Sequence, residues 1–86
     1  MPEISRFFGL VILMYFDDHN PPHFHVRYGE FRASISIADG RIVTGALPRT
    51  AMKLIEEWRN LHVAELEENW YKSSNLNQPA AIAPLD

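Results

Sequence analysis

His23-Phe-His-Val-Arg-Tyr-Gly-Glu-Phe-Arg-Ala-Ser-Ile-Ser-Ile-Ala-Asp-Gly-Arg-Ile-Val-Thr-Gly-Ala46 is the stretch that decides the fold. Successive side chains leave a strand on opposite faces. From His23 to Tyr28, Phe24, Val26 and Tyr28 therefore share one face, and His23, His25 and Arg27 share the other. From Phe31 to Ala38 the alternation repeats, with Phe31, Ala33, Ile35 and Ile37 against Arg32, Ser34 and Ser36. Gly29-Glu30 separates these runs as a tight hairpin turn, the glycine supplying the positive φ of a type II′ turn. Asp39-Gly40 is a second two-residue hairpin signal, leading into a further strand over Arg41 to Ala46.

Upstream, Leu10-Val-Ile-Leu-Met-Tyr-Phe16 is an apolar run of strand length, and it predicts a strand buried on both faces. Gly9 before it marks a bend or bulge. Asp17 to Pro22 is turn chemistry, stiffened by two consecutive prolines. Downstream, Leu47-Pro48 opens a helical pattern, with Ala51, Leu54, Ile55, Trp58, Leu61 and His62 at helical spacing, continuing through Leu66, Asn69 and Trp70. One straight helix from Pro48 to Lys72 would be roughly 37 Å long at about 1.5 Å per residue, longer than so small a domain is wide. The reading therefore places a break near Arg59 to His62, with Asn60 as a cap.

Strands followed by helix in separate blocks mean α+β. The expected architecture is a four-stranded antiparallel meander followed by one broken helix or two short helices packed on one face. One domain covers residues 1–76, and 77–86 form a tail that docks through Ile82 and Leu85 or stays mobile. The chain has 86 residues, of which 47% are hydrophobic and 22% charged, a balance that argues against wholesale disorder. The absence of cysteine excludes disulfides and thiolate metal sites, and it fits a cytoplasmic location. Met1 to Arg6 has no basic region ahead of a long apolar run, so no secretory signal is expected there, and Leu10 to Phe16 is too short to span a bilayer. A net charge of −3 leaves room for a small basic patch but not for the broad electrostatic footprint of a nucleic-acid binder.

Chemistry concentrates in His19-Asn-Pro-Pro-His-Phe-His25, which holds three of the 4 histidines. Imidazole is both a common metal ligand and the side chain that titrates nearest neutral pH. His19, His23 and His25, or two of them with Asp17 or Asp18, would suit zinc or another divalent ion with one position left open. Without metal, His23 and His25 supply a general acid and base, and Arg27 a cation, the set needed to cleave RNA by attack of a 2′-hydroxyl; Arg32, Ser34 and Ser36 face the same way from the next strand. The plain alternative makes these histidines half-exposed strand and loop residues. His62 lies on a helix face with Glu65 and Asn69. It is either a buried histidine oriented by Glu65 or, if the second helical segment wraps round the sheet edge, the completion of a site with His19.

Several stretches together resemble a bacterial family of small proteins, domain-of-unknown-function family 4160. They are Ile4-Ser-Arg-Phe-Phe-Gly-Leu-Val-Ile, Met14-Tyr-Phe-Asp-Asp-His-Asn-Pro-Pro-His-Phe-His-Val, Leu47-Pro-Arg, Glu57-Trp58 through His62, and Glu68-Asn-Trp70. The resemblance covers nearly the whole chain. It makes His19, His23, Phe24, His25, Tyr28, Trp58, His62, Asn69 and Trp70 pattern positions, and so implies that all four histidines act together. It also implies a neighbouring gene for a second small protein, an arrangement similar to a toxin–antitoxin unit.

The functional expectation is a component of such a two-gene unit that acts through a small protein partner, with a site centred on His23, His25 and Arg27 that cleaves RNA. His62 and Glu65 are candidates for a second half of that site. The alternative is a non-catalytic module that binds protein or metal. Free sheet edges also suit a homodimer, and no membrane association is expected.

Overall fold

The computed structural model describes residues 3–86. Met1 and Pro2, which head both the segment read for a signal peptide and the expected 1–76 domain, lie outside that range. Five strands, β1 (Glu3–Phe7), β2 (Leu10–Leu13), β3 (His23–Tyr28), β4 (Phe31–Ser36) and β5 (Ile42–Gly45), form one sheet in the order β1-β2-β3-β4-β5. Every neighbouring pair is antiparallel. A helix, α1 (Arg49–Ser74), follows. The α+β reading and the meander hold, but the sheet has a fifth strand where four were expected.

The extra strand is β1, and its turn explains why the sequence hides it. Phe7 pairs with Leu10 across a two-residue loop in which Phe8 (φ 47°) and Gly9 (φ 80°) both adopt positive φ. That backbone is the hairpin type normally announced by Asn-Gly or Asp-Gly. A bulky residue at positive φ is uncommon, so Phe8 gives no turn signal. A register irregularity between Glu3 and Ser5 also breaks the alternation, and Ile4, Ser5 and Phe7 are all buried.

The paired registers put the apolar residues on one side. Ile12 opposes Val26 and Val26 opposes Ala33, while Phe24 opposes Ile35. These residues form one core with Ile4, Phe7, Leu10, Ile55, Trp58 and Leu66. Trp58 is its centre: the ring is fully buried, with Phe7 and Phe24 at centroid distances of 5.5 and 5.7 Å. Burying each large apolar side chain here contributes roughly 1.5–3 kcal/mol. The tail crosses back over this core. Ile82 and Leu85 are buried, the Ile82 N–H donates to the Ile4 carbonyl, and the Ala83 carbonyl accepts the Trp58 indole N–H.

The helix is bent as its length requires. His62 leaves helical geometry (φ −129°, ψ 23°), which splits α1 into two segments. Its first segment lies over the apolar face. Its second reaches the end of the sheet, where the Ser73 carbonyl accepts the Asp17 N–H. No helix among the described residues is long and apolar enough to cross a membrane.

Candidate functional site

The open face of the sheet carries a polar row. His25 on β3 opposes Leu13 on one side and Ser34 on the other, and Ser34 opposes Thr44. A pinned loop completes the site from above. Residues 17–22 are held at one end by the bond from Asp17 to Ser73, and at the other by the Pro22 carbonyl, which accepts the Ile37 N–H at 3.1 Å. Between these ties Asp17 takes a left-handed conformation (φ 52°), which aspartate tolerates better than most residues. The turn delivers Asp18 onto the two strand histidines.

The Asp18 carboxylate is used fully. Its Oδ1 accepts the His19 N–H at 3.0 Å. Its Oδ2 lies 3.0 Å from His23 Nε2 and 2.9 Å from His25 Nε2. Burial pushes this carboxyl up, and that is the largest single influence on it. The His25 hydrogen bond, the His19 N–H and the charges of His23 and His25 together outweigh burial and hold it below the ordinary aspartate value.

His23 fixes the chemistry. Its Nδ1 is 2.6 Å from the Pro21 carbonyl oxygen, which can only accept, so Nδ1 carries a proton. In a neutral ring Nε2 is then bare, and a carboxylate oxygen lies 3.0 Å from it. Two acceptors at 3.0 Å repel, and the contact becomes favourable only with a second ring proton or a cation between them. A metal-ligating histidine commonly donates its other ring N–H to a carbonyl in just this manner.

The second histidine is tied from its other side. His25 Nδ1 lies 3.3 Å from Ser34 Oγ, and the Thr44 hydroxyl donates to Ser34 Oγ at 3.0 Å. Aromatic rings wall the pair: Tyr15 meets His25 edge-on at 4.4 Å, and Trp70 packs on His23 at 5.2 Å. The His23 side chain is only 8% exposed and that of His25 is 26% exposed, so reagents reach the cluster from the His25 side.

One ligand atom each from Asp18, His23 and His25 can be chosen so that all lie within 4.8 Å of one another. Ligands of a tetrahedral zinc ion, at 2.0–2.2 Å from it, sit about 3.3–3.5 Å apart. The two contacts to Asp18 are a few tenths of an ångström shorter, so a small outward shift of the carboxylate would admit a divalent ion.

The other residues singled out in the sequence fall elsewhere. His19 points to solvent with its side chain 95% exposed and its Nδ1 3.7 Å from Asp18 Oδ1; Asp18 occupies the place beside His23 and His25. Arg27 shares their strand face. His62 packs on Trp58 at 5.4 Å, and its Nδ1 is 2.6 Å from Glu65 Oε1. The second helical segment does reach the cluster, but through Trp70 rather than His62. Tyr15, Thr44 and the tryptophan's role gave no chemical signal in the sequence; the register of β4 and β5 places Thr44, and the second segment of the bent helix carries Trp70.

A family model described as domain of unknown function (DUF4160) matches residues 9–71, and the chain belongs to that family. The matched stretch contains Asp18, all four histidines and Trp70. No curated protein and no solved structure matches the chain.

Proposed function

We propose that this member of the DUF4160 family is a metal-binding module in which Asp18, His23 and His25 hold one divalent ion, zinc being the first candidate. A coordination position stays open on the His25 side. The observation that carries the reading is the protonated Nδ1 of His23, which leaves a bare Nε2 only 3.0 Å from Asp18 Oδ2, an oxygen that also lies 2.9 Å from His25 Nε2. Bound there, the ion would act as a Lewis acid towards a ligand in the open position. The chain's own groups orient it: the Pro21 carbonyl and Ser34 hold the two rings, and Trp70 shields His23 from water.

The proposal extends to a two-gene, toxin–antitoxin-like unit in which the chain works through a protein partner. Support for a partner comes from β5, an edge strand whose Ile42 and Val43 are exposed and which is open to strand addition. The same edge would serve a homodimer. Metal-free RNA cleavage is a second reading, favoured by one observation: His25 is a partly exposed imidazole oriented by a carboxylate, with Arg27 on the same face. In that reading His25 moves the proton and Arg27 faces the phosphate.

Zinc titration against a chromophoric chelator separates these readings. The expected result is one ion per chain, lost in Asp18→Asn and in His23→Ala/His25→Ala. Zinc binding that both variants retain would remove the metal reading. RNA cleavage that persists in excess chelator would put the second reading in its place.

A further inference from the structure

The open face holds a second feature beside the metal cluster. Arg27 on β3 and Arg32 on β4 are directly opposed cross-strand partners. Like charges in that arrangement destabilise a sheet. Among the described residues neither guanidinium has an ion-pair or hydrogen-bond partner. Glu3 feels the charge of Arg27, but both of its carboxylate oxygens bond Arg6, at 2.7 and 3.1 Å. A shallow groove of about 250 Å³ runs from Arg32 to His25, lined also by Ala33, Ser34, Thr44 and Gly45; Arg27 stands outside this lining, beside it as the cross-strand partner of Arg32. Gly45 (φ +81°) has no tolerated substitute, because a Cβ there would strike the Arg32 carbonyl, and so that end of the groove carries no side chain.

We infer that this groove is an oxyanion site for a phosphate group carried by a small molecule, placed so that one phosphate oxygen reaches the open position of the metal at Asp18, His23 and His25. The inference rests on the metal reading for that last contact, but not for the arginine contacts. A phosphate supplies what the Arg27–Arg32 pair lacks. Each guanidinium offers a planar fork of N–H donors matched to two phosphate oxygens. His25 belongs to both the groove and the metal cluster, so a ligand on Arg32 lies next to the ion. The protein's net charge of −3 and the size of the groove favour a single phosphate group over a polynucleotide, which would need an extended basic surface.

The test is calorimetric titration of the full chain with inorganic phosphate, with and without one equivalent of zinc, beside Arg27→Gln/Arg32→Gln and His23→Ala/His25→Ala. The metal-free wild type should bind phosphate, and zinc should tighten it. The arginine variant should weaken phosphate binding by about tenfold or more, the scale of losing charge-assisted hydrogen bonds, while its zinc affinity stays within about threefold. Both arginines are on the open face, and the single substitution Arg32→Gln provides a milder variant with the same expected direction. Arginine-dependent phosphate binding in a protein that takes no zinc would uphold the groove and remove the metal reading. Normal zinc affinity with phosphate binding that ignores both arginine substitutions would overturn the inference. A short single-stranded oligoribonucleotide is the second arm. Tighter binding of the oligomer, with a salt dependence reporting several phosphates, would assign the groove to a polynucleotide and overturn the small-molecule form.

Discussion

The two faces of the sheet obey different rules. The covered face is closed by the first segment of α1 and by the tail, and its residues are apolar and interlocked around Trp58. The other face is covered only in part, by the loop of residues 17–22 and by Trp70 over His23. There Asp18, His25, Ser34 and Thr44 satisfy one another through a chain of contacts, while the guanidiniums of Arg27 and Arg32 have no partner among the described residues. The first arrangement supplies stability. The second spends some of it, by holding a carboxylate oxygen 3.0 Å from His23 Nε2 and by opposing two arginines. Substitutions on the two faces should therefore separate into effects on folding and effects on binding.

The largest effect belongs to the covered face. Trp58→Ala removes the central ring and leaves the Ala83 carbonyl without its donor. It should cost about 3–5 kcal/mol, read as a lower urea midpoint. A loss below about 1 kcal/mol would mean that the tail and helix do not close this core as described.

Next is Asp18→Asn on the open face. Zinc affinity should fall by about 100-fold or more, the upper end of what even outer partners of a metal site contribute. In the metal-free protein the same substitution should show a pH signature. Asp18 is held below its ordinary value, so its charged form stabilises the fold above about pH 4, and that contribution fades as pH falls through the lowered value. The stability gap between wild type and Asp18→Asn should therefore be open at pH 6 and close towards pH 3. A gap that widens on acidification would reverse the assigned sign.

Ser34→Ala is a finer test. It removes the hydroxyl at 3.3 Å that orients His25, without touching a ligand atom. The expected loss in zinc affinity is about tenfold, with folding stability changed by about 1 kcal/mol. His62→Ala should have the smallest consequence. The pair with Glu65 is half open to water and contributes about 1 kcal/mol or less, the ring's packing on Trp58 adds a loss of folding stability, and zinc affinity should not change. A fall in zinc affinity would tie His62 to the cluster after all.

The same contrast explains what the sequence revealed. The covered face was legible because alternation in β3 and β4 and the helical stripe through Trp58 both follow from fixed periods. The bend in α1 was legible from length alone, and it falls at His62, inside the expected stretch. β1 was not legible, since Phe8 at positive φ imitates no turn signal and the irregularity near Ser5 spoils its alternation. At the site, the period of two put His23 and His25 on one face. Whether His19 or Asp18 joins them depends on the path of residues 17–22, which is set by bonds to Ser73 and Ile37 far along the chain. Trp70 read only as part of the helical stripe, because spacing on a helix does not say where the helix bends; it packs against the core and also meets His23.

The most direct test of the central claim is zinc K-edge X-ray absorption on the protein loaded with one equivalent of zinc. The outer-shell scattering counts imidazoles. The account predicts two imidazole nitrogens and at least one oxygen at about 2.0–2.2 Å in the wild type, and one imidazole in His25→Ala. Three or more imidazoles, or a spectrum unchanged by His25→Ala, would contradict a site built from Asp18, His23 and His25.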